Sequence, residues 1–148
     1  LEALDPPSFD SVVQHEMGHT LGIGSLWEQN NLWEAGTRKF KGTVATEKWN
    51  AIGCSGFIPT ESNGAHFDES CLDPEMMTGG VEMATDEILS AVTIGALEDM
   101  GFGVDYTNAE SFELSDIRGG RCQSEFTTFV TCPEGTATRV RRLDDEGQ

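Results

Sequence analysis

The chain lacks any hydrophobic run long enough to cross a membrane, so we expect no direct membrane insertion by this segment. It also has few basic residues: 9 lysines and arginines stand against 26 aspartates and glutamates, which gives a formal net charge of −17. Such a charge would repel nucleic acid and anionic membrane surfaces, and neither is expected as a partner. The hydrophobic fraction of 37% over 148 residues is ordinary for a globular domain with one modest core.

Cysteine is also scarce, because the chain has only four, at positions 54, 71, 122 and 132, and none has the spacing of a zinc finger. An even number of cysteines in an exported protein favours two disulfides. Of the possible connectivities, Cys54–Cys71 with Cys122–Cys132 closes the shortest loops, and the first bridge would tether the segment around His66. The alternative is four buried thiols in a cytosolic protein.

Histidine is rarer still: the chain has three, and two of them lie in the run His15-Glu16-Met17-Gly18-His19. Two histidines four residues apart on a helix project from one face, at a spacing that lets both imidazoles bind one zinc ion. The glutamate beside the first histidine is then placed to act on a water molecule. This motif also arises by chance, so its surroundings matter.

The residues around this motif predict a helix. Asp5 or Ser8, with the prolines between them, can begin and cap it, whereas Gly22 and Gly24 end it. A mainly apolar stripe recurs at helical spacing, and the two histidines lie beside it, near the boundary between core and cleft; the stripe comprises Phe9, Val12, Val13, Glu16, Met17 and Thr20.

The third histidine, His66, is the natural third ligand, because a catalytic zinc usually has three protein ligands and one open position. It lies in the turn-rich run Asn63-Gly64-Ala65-His66-Phe67 and is followed by Pro74-Glu75-Met76-Met77-Thr78-Gly79. The alternative is that His66 is a surface loop residue.

These motifs together resemble the leishmanolysin-like metallopeptidases, a branch of the metzincins. The run from His15 to Gly22 is similar to the first half of the metzincin zinc signature. Ser25 stands where most metzincins have the third histidine, whereas leishmanolysin-like enzymes place that histidine after a long insertion, as His66 is here. Phe67 follows it where the family has tryptophan. The likeness extends over roughly residues 9–106.

The resemblance implies an α+β fold that is mostly helical and loop-rich here. It would be the C-terminal part of a metzincin-like catalytic domain that lacks most of the N-terminal sheet subdomain. Residues 1–108 would contain the zinc helix, an insertion at 25–65 with little regular structure, the third histidine, the Met-turn and a closing helix at 86–101, with Ser90 and Gly101 at its ends. We expect Trp27, Trp33 and Trp49 to pack the insertion onto the body.

Residues 109–148 read as a C-terminal extension. Strands at 126–132 and 136–143 would form a disulfide-linked hairpin, and a frayed tail would follow.

The function that the resemblance implies is that of a secreted or cell-surface zinc-dependent endopeptidase acting on a polypeptide substrate. His15, His19 and His66 would bind Zn²⁺, Glu16 would be the catalytic base, and Met77 would be the Met-turn methionine beneath the metal. Only 14 residues precede His15, so the missing N-terminal half of the catalytic domain is an expected partner. The alternatives are a non-catalytic binding or adhesion module that retains the zinc site, and a metal site used only for stability.

Overall fold

The computed structural model describes residues 6–80, 87–113, 116 and 130–131. The helices are α1 (Pro6–Leu21), α2 (Thr43–Ala51), α3 (Glu69–Leu72) and α4 (Ala91–Asp99), with a 3₁₀ turn at Tyr106–Asn108. The strands are β1 (Lys39–Phe40), β2 (Ser55–Gly56), β3 (Ile58–Pro59) and β4 (Val130–Thr131), paired antiparallel as β1–β3 and β2–β4. This is a small α+β fold, as the sequence predicted. Within the described ranges, no helix is both long and apolar enough to traverse a bilayer.

Helix α1 ends where the sequence predicted. Its last residue is Leu21, and Gly22 follows with a φ of 113°, a left-handed conformation that glycine adopts without strain. The backbone N–H of Ile23 then donates to the carbonyl of Gly18, which closes the turn. The predicted cap at Asp5 or Ser8 lies outside the described side chains.

The apolar stripe of α1 does not border the core as expected. Phe9, Val13 and Met17 follow one another at intervals of four residues and are 57%, 40% and 57% exposed. The opposite side of the helix is buried instead, at His15 and Gly18. Helical spacing identified a real ridge of apolar side chains, but spacing alone does not tell which side of a helix the rest of the protein covers.

Trp27 packs the insertion onto the body, as predicted. Trp33 instead contacts Thr60 and Gly64, within the insertion itself. Trp27, Trp33 and Trp49 are all buried. The ring of Trp27 lies 4.8 Å from that of Phe40 and 5.1 Å from that of Phe67, measured between centroids. Aromatic pairs at this spacing bury a large apolar area. They therefore join the insertion to the residue that follows His66.

Helix α2 lies inside the insertion, where little regular structure was expected. Its N-cap residue, Gly42, has no side chain to offer, and the carboxylate of Asp99 caps the helix instead by accepting from the N–H groups of Val44 and Ala45, each at 2.9 Å. The helix lies against α4 at Gly95, where an added Cβ would be 2.9 Å from the Cα of Ala45. The cap is distant in sequence, so local patterns could not reveal this helix.

The closing helix begins at the predicted cap. The Ser90 hydroxyl accepts from the N–H groups of Val92 and Thr93, and Gly101 follows the helix with a φ of 94°. The helix itself covers Ala91–Asp99 and is shorter than the predicted 86–101.

The pairing Cys54–Cys71 is wrong. Cys54 is disulfide-bonded, whereas the buried Cys71 is a thiol. The prediction chose the pairing that closes the shortest loops. The fold instead brings segments together that are distant in sequence, since Ser55 on β2 pairs with Thr131 on β4. Cys122, Cys132, the tail and nearly all of the predicted hairpin lie outside the described residues. The domain boundary after residue 108 stays a prediction.

Candidate metal centre

Two segments of the chain bring the three histidines to one place. Helix α1 supplies His15 and His19, one turn apart. His66 comes from the turn after β3, in which the N–H of Glu61 donates to the carbonyl of His66 at 3.0 Å. The turn after α1 lies directly against this segment, because an added Cβ on Gly24 would be 1.9 Å from the carbonyl oxygen of Ala65. The absence of a side chain at Gly24 therefore permits the convergence.

The three Nε2 atoms form a small triangle. The separations are 2.9 Å between His15 and His19, 3.0 Å between His19 and His66, and 3.3 Å between His15 and His66. Three nitrogens bound tetrahedrally to zinc at ~2.0–2.1 Å stand about 3.3 Å apart. The observed separations lie at or slightly below that value, so the donor set fits one zinc ion.

The opposite ring nitrogens all make hydrogen bonds to oxygen acceptors. Nδ1 of His15 lies 2.7 Å from the carbonyl oxygen of Met76, and Nδ1 of His19 lies 2.9 Å from that of Ile23. Nδ1 of His66 lies 3.0 Å from Oε2 of Glu61. Carbonyl and carboxylate oxygens only accept, so each Nδ1 carries the hydrogen and donates it. In the neutral ring, each Nε2 then has a lone pair.

Three lone pairs therefore point at one another. A single added proton could bridge only one pair of nitrogens, whereas one metal ion can accept from all three. Burial lowers the pKa of His15, although its hydrogen bond to the Met76 carbonyl opposes that shift, and the net effect favours the neutral ring. A set of imidazoles suits zinc and the neighbouring transition metals.

Glu16 lies next to His15 on α1, and its side chain is exposed. The negative charge of Glu16 favours protonation of the His15 ring and so raises the pKa of that ring, but burial has the larger effect and lowers it. The described geometry thus leaves Glu16 accessible to solvent beside the first histidine.

Met77 is buried against α1 at Gly18, the residue before His19. Its side chain is 1% exposed, and an added Cβ on Gly18 would lie 2.5 Å from its sulfur. The backbone carbonyl of Met77 accepts from the N–H of Phe67 at 3.0 Å. The Met77 segment therefore contacts both helix α1 and the residue after His66.

Two carboxylates that the sequence analysis did not assign to the site support it. Glu61 accepts a hydrogen bond from the His66 ring. The sequence signal that could have identified it is its position five residues before a histidine, in a turn that contains glycine. Glu75 is buried and accepts from the N–H of Met77 at 2.7 Å and from the hydroxyl of Ser90 at 2.8 Å. Burial raises the pKa of Glu75, and these hydrogen bonds oppose that shift. Glu75 thereby ties the Met77 segment to the beginning of α4.

No family model, no curated protein and no solved structure matches this chain. The resemblance to leishmanolysin-like metallopeptidases therefore rests on the order of the motifs. Within the described ranges, His15, His19 and His66 form the one group of possible ligands whose donor atoms all lie within 4.8 Å of one another.

Proposed function

We propose that this chain carries the catalytic zinc site of a zinc-dependent endopeptidase of the leishmanolysin-like type. One observation carries the proposal: three Nε2 atoms converge while each Nδ1 donates to an oxygen acceptor. That is the arrangement of histidines that bind a metal and are held by a second layer of acceptors. The order of the motifs supports the choice of family.

Each residue has a distinct role in this proposal. His15, His19 and His66 supply three neutral nitrogen donors and leave a fourth position for water or substrate. A zinc ion held by these residues would supply Lewis-acid chemistry to the scissile carbonyl and to water. Glu16 accepts a proton from the attacking water and passes it to the leaving amine. Met77 forms the apolar floor of the site.

The proposed partner is a polypeptide substrate, and the proposed location is secreted or cell-surface. The disulfide at Cys54 supports an oxidising compartment. The family resemblance also implies a sheet subdomain before the zinc helix. The exposed ridge of Phe9, Val13 and Met17 offers an apolar surface that such a subdomain would cover.

The metal content of the purified protein tests the first half of the proposal. We expect about one zinc ion per chain by elemental analysis, and loss of that zinc in His66→Ala, because two imidazoles and water bind the ion far more weakly than three imidazoles. Glu34→Ala is the matched control, since its side chain is 69% exposed and its carboxylate lies 3.8 Å from the ammonium group of Lys41, an ion pair at the surface. A wild-type chain that takes up no zinc would contradict the proposal.

Peptide hydrolysis by the full-length protein tests the second half. Glu16→Ala should retain its zinc and lose about 10²–10⁴-fold in rate, as expected when a general base is removed. Glu34→Ala should keep both. Zinc binding without any hydrolysis in the wild type would favour the non-catalytic binding module instead, and an active Glu16→Ala would refute the assignment of the base.

A further inference from the structure

Glu61 and Gly79 lie together beside the third histidine. We propose that Glu61 is a positioning residue that fixes the His66 ring for metal binding, and that Gly79 provides the space that its carboxylate needs. This inference rests on the zinc site of the proposed function. It adds two residues that the motifs do not assign to that site.

The three histidines are held in different ways. The rings of His15 and His19 donate to backbone carbonyls, which move only if the chain moves. The ring of His66 donates to the side chain of Glu61, which is 30% exposed. His66 is therefore the one of these three ligands whose orientation a side-chain substitution can change without displacing the backbone.

The turn between the two residues sets their geometry. The N–H of Glu61 donates to the carbonyl of His66, and the N–H of Gly64 donates to the carbonyl of Glu61, each at 3.0 Å. These backbone bonds place the carboxylate and the imidazole on facing sides of one turn. The side-chain hydrogen bond of 3.0 Å then joins them.

Gly79 determines where the carboxylate can lie. An added Cβ at this position would be 1.9 Å from Oε1 and 2.7 Å from Cδ of Glu61. The φ of Gly79 is outside the left-handed region, so alanine suits the backbone there. The atom in the way is the end of a flexible side chain, which can move at little cost to the fold. The movement would instead break the hydrogen bond to His66.

The carboxylate acts on the metal through the ring. By accepting the Nδ1 hydrogen it fixes the tautomer and increases the donor strength of Nε2, and loss of such a partner lowers metal affinity by about 10–100-fold. A neutral amide in the same place keeps one acceptor oxygen for the Nδ1 hydrogen, loses the negative charge and replaces the other oxygen with an NH2 group. The charge and the geometry can therefore be separated by substitution.

The test measures zinc affinity by competition with a chelator, together with the visible spectrum of the Co²⁺-substituted protein. We expect Glu61→Ala to bind zinc about 10–100-fold more weakly and to change the Co²⁺ spectrum. Glu61→Gln should restore part of the affinity. Gly79→Ala should match Glu61→Ala, and the double variant should be no weaker than either single variant.

Two controls separate this effect from general changes. Glu34→Ala removes an exposed carboxylate from the insertion, and Gly103→Ala adds a Cβ where nothing lies within 4 Å. Both should bind zinc as the wild type does.

The outcomes distinguish the inference from the proposed function. A wild type that binds no metal contradicts the proposed function, and with it the inference. A wild type that binds zinc while Glu61→Ala stays within twofold of it overturns the inference alone. Additive losses in the double variant would overturn the role of Gly79. If circular dichroism shows that Glu61→Ala does not fold, the comparison of Glu61→Gln with Gly79→Ala decides, and wild-type affinity in both would overturn the inference.

Discussion

Alanine in place of Gly18 should destabilise the metal-free protein, although the same change in a helix interior usually stabilises. Replacing glycine by alanine in a helix gains about 1 kcal/mol. Here the added Cβ would lie 2.5 Å from the sulfur and 3.0 Å from the methyl carbon of Met77. Met77 is buried, and overpacking of this kind costs about 1–3 kcal/mol. The net loss in the free energy of unfolding should be about 0–2 kcal/mol.

A double-mutant cycle isolates the contact. In a Met77→Ala background the obstructing sulfur is gone, so Gly18→Ala should now stabilise by about 1 kcal/mol. The coupling energy between the two sites is then about 1–3 kcal/mol. Urea unfolding of chelator-treated protein, followed by circular dichroism and tryptophan fluorescence, measures all four free energies.

Gly95→Ala is the contrasting variant. Its added Cβ would meet the Cα of Ala45 at 2.9 Å, a backbone contact that does not involve Met77. It should destabilise equally with or without Met77. Stabilisation of about 1 kcal/mol by Gly18→Ala in the wild-type background would refute the reasoning, because it would show that Met77 moves freely and forms no fixed floor beneath the two histidines.

Three further predictions follow from the fold and the site. Asp99→Ala should lower the free energy of unfolding by about 1–2 kcal/mol in urea titrations, because α2 loses the carboxylate that caps two of its N–H groups; an unchanged midpoint would contradict this. Burial, with the carboxylates of Glu69, Glu75 and Asp73, raises the pKa of Glu87 from 4.5 to about 7. The stability that Glu87 contributes is therefore present below pH 4.5 and lost as the pH rises through about 7. In urea midpoints measured over a pH series, Glu87→Gln should show a smaller fall in stability across this range than the wild type. An equal fall in both proteins would contradict the prediction. Zinc at 1,000 times its Kd should add about 4 kcal/mol to the free energy of unfolding, seen as a higher Tm that a chelator reverses; equal Tm values with and without zinc would count against the site.

The sequence by itself determined the local features. The spacing of His15 and His19 follows from the period of a helix, so it could be read directly. The end of α1 at Gly22 and the beginning of α4 at Ser90 depend on residues adjacent to the helix ends, and both predictions were correct. His66 was identified as the third histidine because few histidines compete for the role.

Only the tertiary structure decided the features that depend on distant residues. Helix α2 is capped by Asp99, far away in the chain, and the acceptors behind His15 and His66 are a backbone carbonyl and Glu61. The tertiary fold also decided that the apolar ridge of α1 is exposed and that Cys71 is not the partner of Cys54. Periodicity and caps are set by neighbours along the chain, whereas burial and pairing are set by whatever segment packs alongside, which no local pattern encodes.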